Sequence, residues 1–246
     1  MSYFNYENIP YPIRSEIPGA YRSYWDKLSM PGTWWSGAER VWIAEESRIA
    51  LECGFCSERK NALSPYGFEG EHTTAGKLPM NVVDIVHRIV TDQNRITQTY
   101  IDNNTAQGIS KSAYVELVGI VVAVISIDEF HRALGLPMET LPEPKAGDPS
   151  RYEPEHLVDD MGFVPTVPPE GAVGDEADLW ADFAPNVVRA LTLVPNALRE
   201  WREIASAQYI ALEKMATYFK DDSRSINRLQ MELVAGRVSA VNECFY

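Results

Sequence analysis

From Leu117 to Ile127 the chain runs for 11 residues without a charge, bracketed by Glu116 and Asp128. That length falls short of the ~18 apolar residues a membrane span needs, so it reads as a buried helix. Ser110 or Ser112 supplies the N-cap, the body extends from Tyr114 to Leu134, Gly135 is the left-handed stop and Pro137 lies just beyond. A helix apolar almost all round has to sit in the middle of a bundle. No run of strands alternates convincingly anywhere in the chain, so the expected fold class is all-α, a helical bundle.

A second fixed point is Ser36-Gly37-Ala38-Glu39, a capping box in which each side chain satisfies a backbone N–H left open by the first helical turn. A helix therefore starts at Gly37. At 3.6 residues per turn it carries Trp42, Glu46, Ile49, Cys53, Cys56 and Lys60 along one stripe. With about 1.5 Å of rise per residue, Glu46 lies roughly 10 Å along the axis from Cys53 and serves that sulfur only through a water or a kink. Gly54 is the place for a kink, and a helix restarting there turns its positive end toward the thiols.

Other segments follow from punctuation and periodicity. Residues 1–37 hold nine of the 26 aromatics with four prolines among them, and read as an extended arm. Ser64 to Thr74 is a loop. Pro79 opens a helix with Val82, Val83, Ile85, Val86, Ile89 and Val90 on its apolar face; His87 among them reads as a packed or capping histidine. Arg95 to Ala106 gives a shorter helix stopped by Gly108, and Pro137 to Pro169, with eight of the 16 prolines, a linker or surface-hugging loop. Helical patterning resumes at Asp178 and ends in a helix near Ile226 to Asn242. Within it Glu232-Leu233-Val234 echoes Glu116-Leu117-Val118, which suggests two related helical units. His131 reads as a C-terminal-turn residue and Glu116 as a first-turn dipole partner.

A net charge of −13 with no basic stripe argues against nucleic acid as partner. No membrane partner is expected, and the first residues lack the basic and apolar regions of a signal peptide. Three cysteines, two of them in Cys53-Gly54-Phe55-Cys56, fit a redox or metal role in a reducing compartment, taken to be the cytoplasm.

The final stretch, Glu232-Leu233-Val234-Ala235-Gly236-Arg237-Val238-Ser239-Ala240-Val241-Asn242-Glu243-Cys244-Phe245-Tyr246, resembles the ELVxxRVSxxNxCxYC signature of the alkylhydroperoxidase AhpD and carboxymuconolactone decarboxylase superfamily. Tyr114 to Pro137 is similar to the helix following that motif. The resemblance covers most of residues 38–136 and 180–246. It divides the chain into an aromatic arm (1–37), a unit with the CxxC (38–136), an acidic Pro-rich linker (137–178) and a second, incomplete unit (179–246). It implies an all-helical, usually homo-oligomeric protein in which a CxxC pair reduces hydroperoxides with a Glu and a His as proton relay, a thiol or disulfide as electron donor, and no cofactor. Carried over, Cys56 is the attacking thiolate, Cys53 the resolving thiol, and Glu232 with Cys244 the relay carboxylate and cysteine of the second motif. The first motif departs from the pattern: Val41 stands 12 residues before Cys53, so Glu46 or Glu45 has to substitute. Phe55 and Lys60 replace the family histidines, leaving His72 as the nearest one downstream. The chain ends at Tyr246, one position before the second cysteine of the terminal motif, which raises the expectation that the natural product continues, by truncation of the record or through selenocysteine.

The thiolate, not the thiol, attacks a peroxide, and Lys60 and Arg59 are the nearby cations that could hold one. A second thiol then captures the sulfenic acid before further oxidation. Two other readings stand beside this. Cys53, Cys56, His72 and His87 are the ligand types of a zinc site, although histidines 15 residues apart differ from familiar Cys2His2 spacing. The other is a helical oligomerisation module without peroxidase activity.

Overall fold

The structure, a computed structural model, describes residues 3–180, 185–211, 214, 224–242 and 244. Among them it is all-α. The helices are α1 (Glu16–Ser29), α2 (Gly37–Ala50), α3 (Gly54–Asn61), α4 (Met80–Thr91), α5 (Gln98–Ala106), α6 (Lys111–Ala133), α7 (Asn186–Arg189), α8 (Pro195–Gln208) and α9 (Arg228–Val241). The described residues contain no sheet, only an isolated bridge between Val158 and Thr166. No helix among them is long and apolar enough to cross a membrane.

Helix α6 occupies the centre and packs on α2, α4 and α8. Leu117, Val124 and Ile127 are fully enclosed there. Its start and stop are local: Ser110 accepts the Ala113 N–H at 3.1 Å, and Gly135 adopts a φ of +67° that residues with a Cβ avoid. At Gly119 a Cβ would stand 3.0 Å from that of Ala197, so the missing side chain sets how closely α6 and α8 approach. The capping box of α2 forms in both directions, Ser36 Oγ accepting the Glu39 N–H at 3.3 Å and Glu39 accepting the Ser36 N–H at 2.9 Å. Helix α5 begins at Gln98 rather than Arg95, because Thr97 caps it and Gln93–Arg95 forms a 3-10 turn.

The aromatic arm is not extended over its whole length. Residues 16–29 form α1, whose Tyr21, Tyr24, Trp25 and Leu28, spaced three or four apart, lie inside the core. Pro18 falls in the first turn, where no intrahelical partner is needed for its absent N–H, so it does not break the helix. Ahead of α1, Phe4 closes edge-on against Trp25 at 4.9 Å. His131 ties this entry segment down: its Nε2 meets Tyr6 OH and its Nδ1 the Pro137 carbonyl, each at 2.7 Å.

The Pro-rich stretch takes the surface-hugging form. Lys145 donates to the Ser29 carbonyl at 2.7 Å, and Ser150 and Arg151 donate to Gly32 and Thr33. Beyond it, helix does not resume at Asp178; α8 then packs on α1 and α6. Glu116 is not a first-turn dipole partner. It lies buried, bonded to Arg40 at 3.0 Å and accepting the Thr33 and Trp34 N–H groups, while Arg40 also holds Glu200 at 2.8 Å. The expected final helix is present as α9, with Leu229, Leu233, Val234, Val238 and Val241 exposed.

Candidate functional site

The kink expected at Gly54 is a complete break. Helix α2 ends at Ala50, residues 51–53 turn, and α3 begins at Gly54 and packs on α4. Cys53 thereby becomes the N-cap of α3, and Cys56 ends up in its first turn. Glu46 stays in the last turn and a half of α2, fully buried, and reaches across to α4 instead of along its own axis.

Four side chains converge here. Cys56 Sγ lies 3.2 Å from His87 Nδ1 and 3.3 Å from His72 Nδ1, and Cys53 Sγ lies 3.8 Å from the same His72 nitrogen. The four potential ligand atoms of Cys53, Cys56, His72 and His87 all fall within 4.8 Å of one another. Each imidazole turns its other nitrogen to a carboxylate: His87 Nε2 to Glu46 Oε1 at 2.8 Å, His72 Nε2 to Asp84 Oδ1 at 3.2 Å. Those partners assign the Nε2–H tautomers and leave Nδ1 of His87 as an acceptor. The carboxylates are fixed in turn. Glu46 accepts Thr74 Oγ1 at 2.9 Å and the Ala75 N–H at 3.2 Å; Asp84 accepts Arg59 at 2.8 Å and Tyr100 OH at 2.7 Å.

His72 arrives on the irregular segment 62–79, which bridges α3 and α4 and covers the thiols. Phe55 anchors that segment by stacking on Phe68 and meeting the His72 ring in an edge arrangement at 4.9 Å, with the Arg59 guanidinium over the Phe55 ring at 5.1 Å. Cys53 is 3% and Cys56 1% exposed, so the pair is enclosed, with imidazole nitrogens of His72 and His87 against the sulfurs.

The two histidines, 4.3 Å apart between ring centres, are driven in opposite directions. Burial opposes a charge on His72, but bonds to Asp84 and to both sulfurs outweigh it and raise its pKa to about 10. On His87, burial and the neighbouring His72 charge prevail over Glu46 and lower the pKa. Burial pushes the Cys53 thiol up, yet the Cys56 N–H, His72 and the Thr73 N–H more than offset this and bring it to about 7. Asp84 opposes its own burial through His72, Arg59 and Tyr100 and is held well below the usual carboxylate range.

Of the residues singled out from sequence, Glu46, Cys53, Cys56 and His72 are thus brought together, and Glu45 instead pairs with Lys77 at the surface. His87, read as a packed or capping histidine and, in the zinc alternative, as a ligand type, belongs to the cluster. Its signal was a polar ring on the strongly apolar face of α4. Asp84 and Tyr100 carried none, since both act through His72. The cations named as thiolate partners have other places: Arg59 is committed to Asp84, and Lys60 is exposed. Glu232 bonds Tyr209 OH at 2.6 Å and pairs with Arg228, and Cys244 is exposed; neither belongs to the four-residue cluster. Glu243, Phe245 and Tyr246 of the terminal motif lie outside the described residues. No protein-family model, curated protein or solved structure matches this chain.

Proposed function

We propose that the protein is a thiol-dependent oxidoreductase that reduces hydroperoxides through Cys53 and Cys56. The observation that carries this reading is the line Cys56 Sγ, His87 Nδ1, His87 Nε2, Glu46 Oε1, with steps of 3.2 Å and 2.8 Å: a nucleophile, a base and an acid that orients the base. Neutral His87 takes the Cys56 proton, while His72, charged through neutral pH, stabilises the thiolate. The Cys56 thiolate attacks one peroxide oxygen, the O–O bond breaks, and the leaving alkoxide takes a proton from His87, giving Cys56 sulfenic acid and an alcohol. The Cys53 thiolate then attacks the Cys56 sulfur and the S–O bond breaks; the departing hydroxide takes a proton from charged His72 and leaves as water, forming the disulfide. An external dithiol or thiol donor returns both sulfurs to the reduced state.

Segment 62–79 has to lift for peroxide to reach Cys56. The cytoplasm, a reducing compartment, suits this cycle. The assembly this reading expects is a homo-oligomer, with the exposed apolar side of α9 set against a second copy.

Thiols counted before and after one equivalent of hydroperoxide test the reading. Two thiols per chain are expected to disappear into a Cys53–Cys56 disulfide, identified by peptide mass, with Cys244 unchanged. Cys56→Ser should abolish the loss, and Glu46→Gln should slow it by about 10²-fold, the lower end for general acid–base help. Thiols that survive excess peroxide in the folded, metal-free protein would exclude the reaction and leave the helical module.

A further inference from the structure

We propose that Cys53 Sγ, Cys56 Sγ, His72 Nδ1 and His87 Nδ1 form a tetrahedral site for a zinc-class divalent cation, and that bound metal and the Cys53–Cys56 disulfide exclude each other. The metal site stands on its own geometry; only the exclusion rests on the peroxide reading.

Four donors around zinc at about 2.3 Å for sulfur and 2.0–2.1 Å for nitrogen are separated from one another by roughly 3.3–3.8 Å. The distances here are 3.2 Å, 3.3 Å and 3.8 Å, with all four donors inside 4.8 Å. A set of two thiolates and two imidazoles selects zinc over the hard cations, which take oxygen. Both rings already point the same way, Nδ1 inward and Nε2 to Asp84 or Glu46. That is the carboxylate–imidazole arrangement that fixes the orientation of metal-binding histidines. The spacing objection raised by the sequence does not apply in space. The 14 residues between His72 and His87 span the end of segment 62–79 and the first two turns of α4, which return the second ring to the first.

All four coordination positions are filled by protein. No place remains for a substrate or an activated water, so the ion would hold the reduced pair rather than catalyse. Oxidation removes two of the donors. Two bound thiolates, one hydroperoxide and two protons give the disulfide, an alcohol, water and the released ion; the O–O bond breaks and the sulfurs supply both electrons. The device is a thiol pair that metal protects and peroxide unlocks.

The test uses the full chain, reduced and stripped with chelator under argon. Titration with Co²⁺ should saturate at one equivalent, with tetrahedral d–d bands and thiolate-to-cobalt charge transfer, and Zn²⁺ should bleach both. Asp84→Asn should weaken Zn²⁺ binding by about 10–100-fold, and His87→Ala should remove the tetrahedral spectrum. If the variants do not fold by circular dichroism, the wild-type cobalt spectrum decides: a pale octahedral spectrum without charge transfer overturns the site. Peroxide added to the zinc-loaded protein should release one zinc per disulfide, read with a chromogenic chelator, more slowly than the metal-free protein loses its thiols. Disulfide formation with the zinc retained overturns the exclusion. No metal binding with normal thiol loss overturns the site and leaves the peroxide reading intact. Metal binding in a chain whose metal-free thiols ignore peroxide overturns that reading and leaves the site.

Discussion

Two imidazoles in contact cannot both be charged cheaply, and the surroundings of His72 and His87 decide which one is. His72 has its value raised from 6.5 to about 10, so its charge stabilises the fold fully below about pH 6.5, and that contribution is lost as pH rises through about 10. Cys53 has the opposite sign. Lowered from 9.0 to about 7, its thiolate stabilises the fold above about pH 9, and that contribution disappears as pH falls through about 7. In the metal-free reduced protein, alkylation of Cys53 followed by peptide mapping should therefore rise with a midpoint near pH 7. His72→Gln should move that midpoint up toward 9, since the ring that stabilises the thiolate is gone. An unmoved midpoint would mean that the backbone N–H groups alone hold the charge. The cysteines could be picked out in the sequence because the chain has only three, and Glu46 because it falls on the same helical stripe. His87 could be named only as a packed residue or a metal-ligand type, not as the proton acceptor of Cys56, because a histidine on an apolar helix face looks the same whether it packs, ligates or accepts a proton.

The break between α2 and α3 gives these residues their relation. An unbroken helix would have left Glu46 about 10 Å from Cys53 along one axis; the turn at 51–53 folds α3 back on α4 and lets Glu46 act through His87. Segment 62–79 closes the arrangement and passes tightly over α3 at Gly70, where a Cβ would lie 2.4 Å from the Phe55 ring. That ring cannot swing aside freely, since Phe68, His72 and Arg59 surround it. Gly70→Ala should cost about 1–3 kcal/mol in chemical denaturation, in the range of overpacked sites. It should also slow peroxide-dependent thiol loss by displacing His72 while leaving the helical circular dichroism unchanged. Equal rates in the two proteins would show that His72 holds its place without the loop contact. Caps and stops are local signals, which is why Ser36, Ser110, Gly108 and Gly135 could be read from the chain. Helix α1 could not: its proline, its glycine and its aromatics disfavour helix locally, and burial of Tyr21, Tyr24 and Trp25 overrides that preference.

Across the molecule, Arg40 joins α2 to α6 and α8 in an interior where it and Glu116 are each 3% exposed. Removing one partner of such a pair leaves a charge without compensation, so Arg40→Met should destabilise by about 3–5 kcal/mol. Arg40→Met with Glu116→Gln should recover part of that loss, because the carboxylate left behind is neutralised. Denaturant titration of the two variants decides, and equal losses would mean that Arg40 acts by packing alone. The amino-acid order was enough to establish an all-α bundle built around α6, and the pairing of two thiols at a helix start. Those properties depend on periodicity and on groups within one turn of each other. Which side chains face the thiols depends instead on contacts between residues 16 to 41 positions apart, made when α3, α4 and segment 62–79 close on α2. No local pattern encodes such contacts, so it is packing that turns Glu46, His72 and His87 into one site.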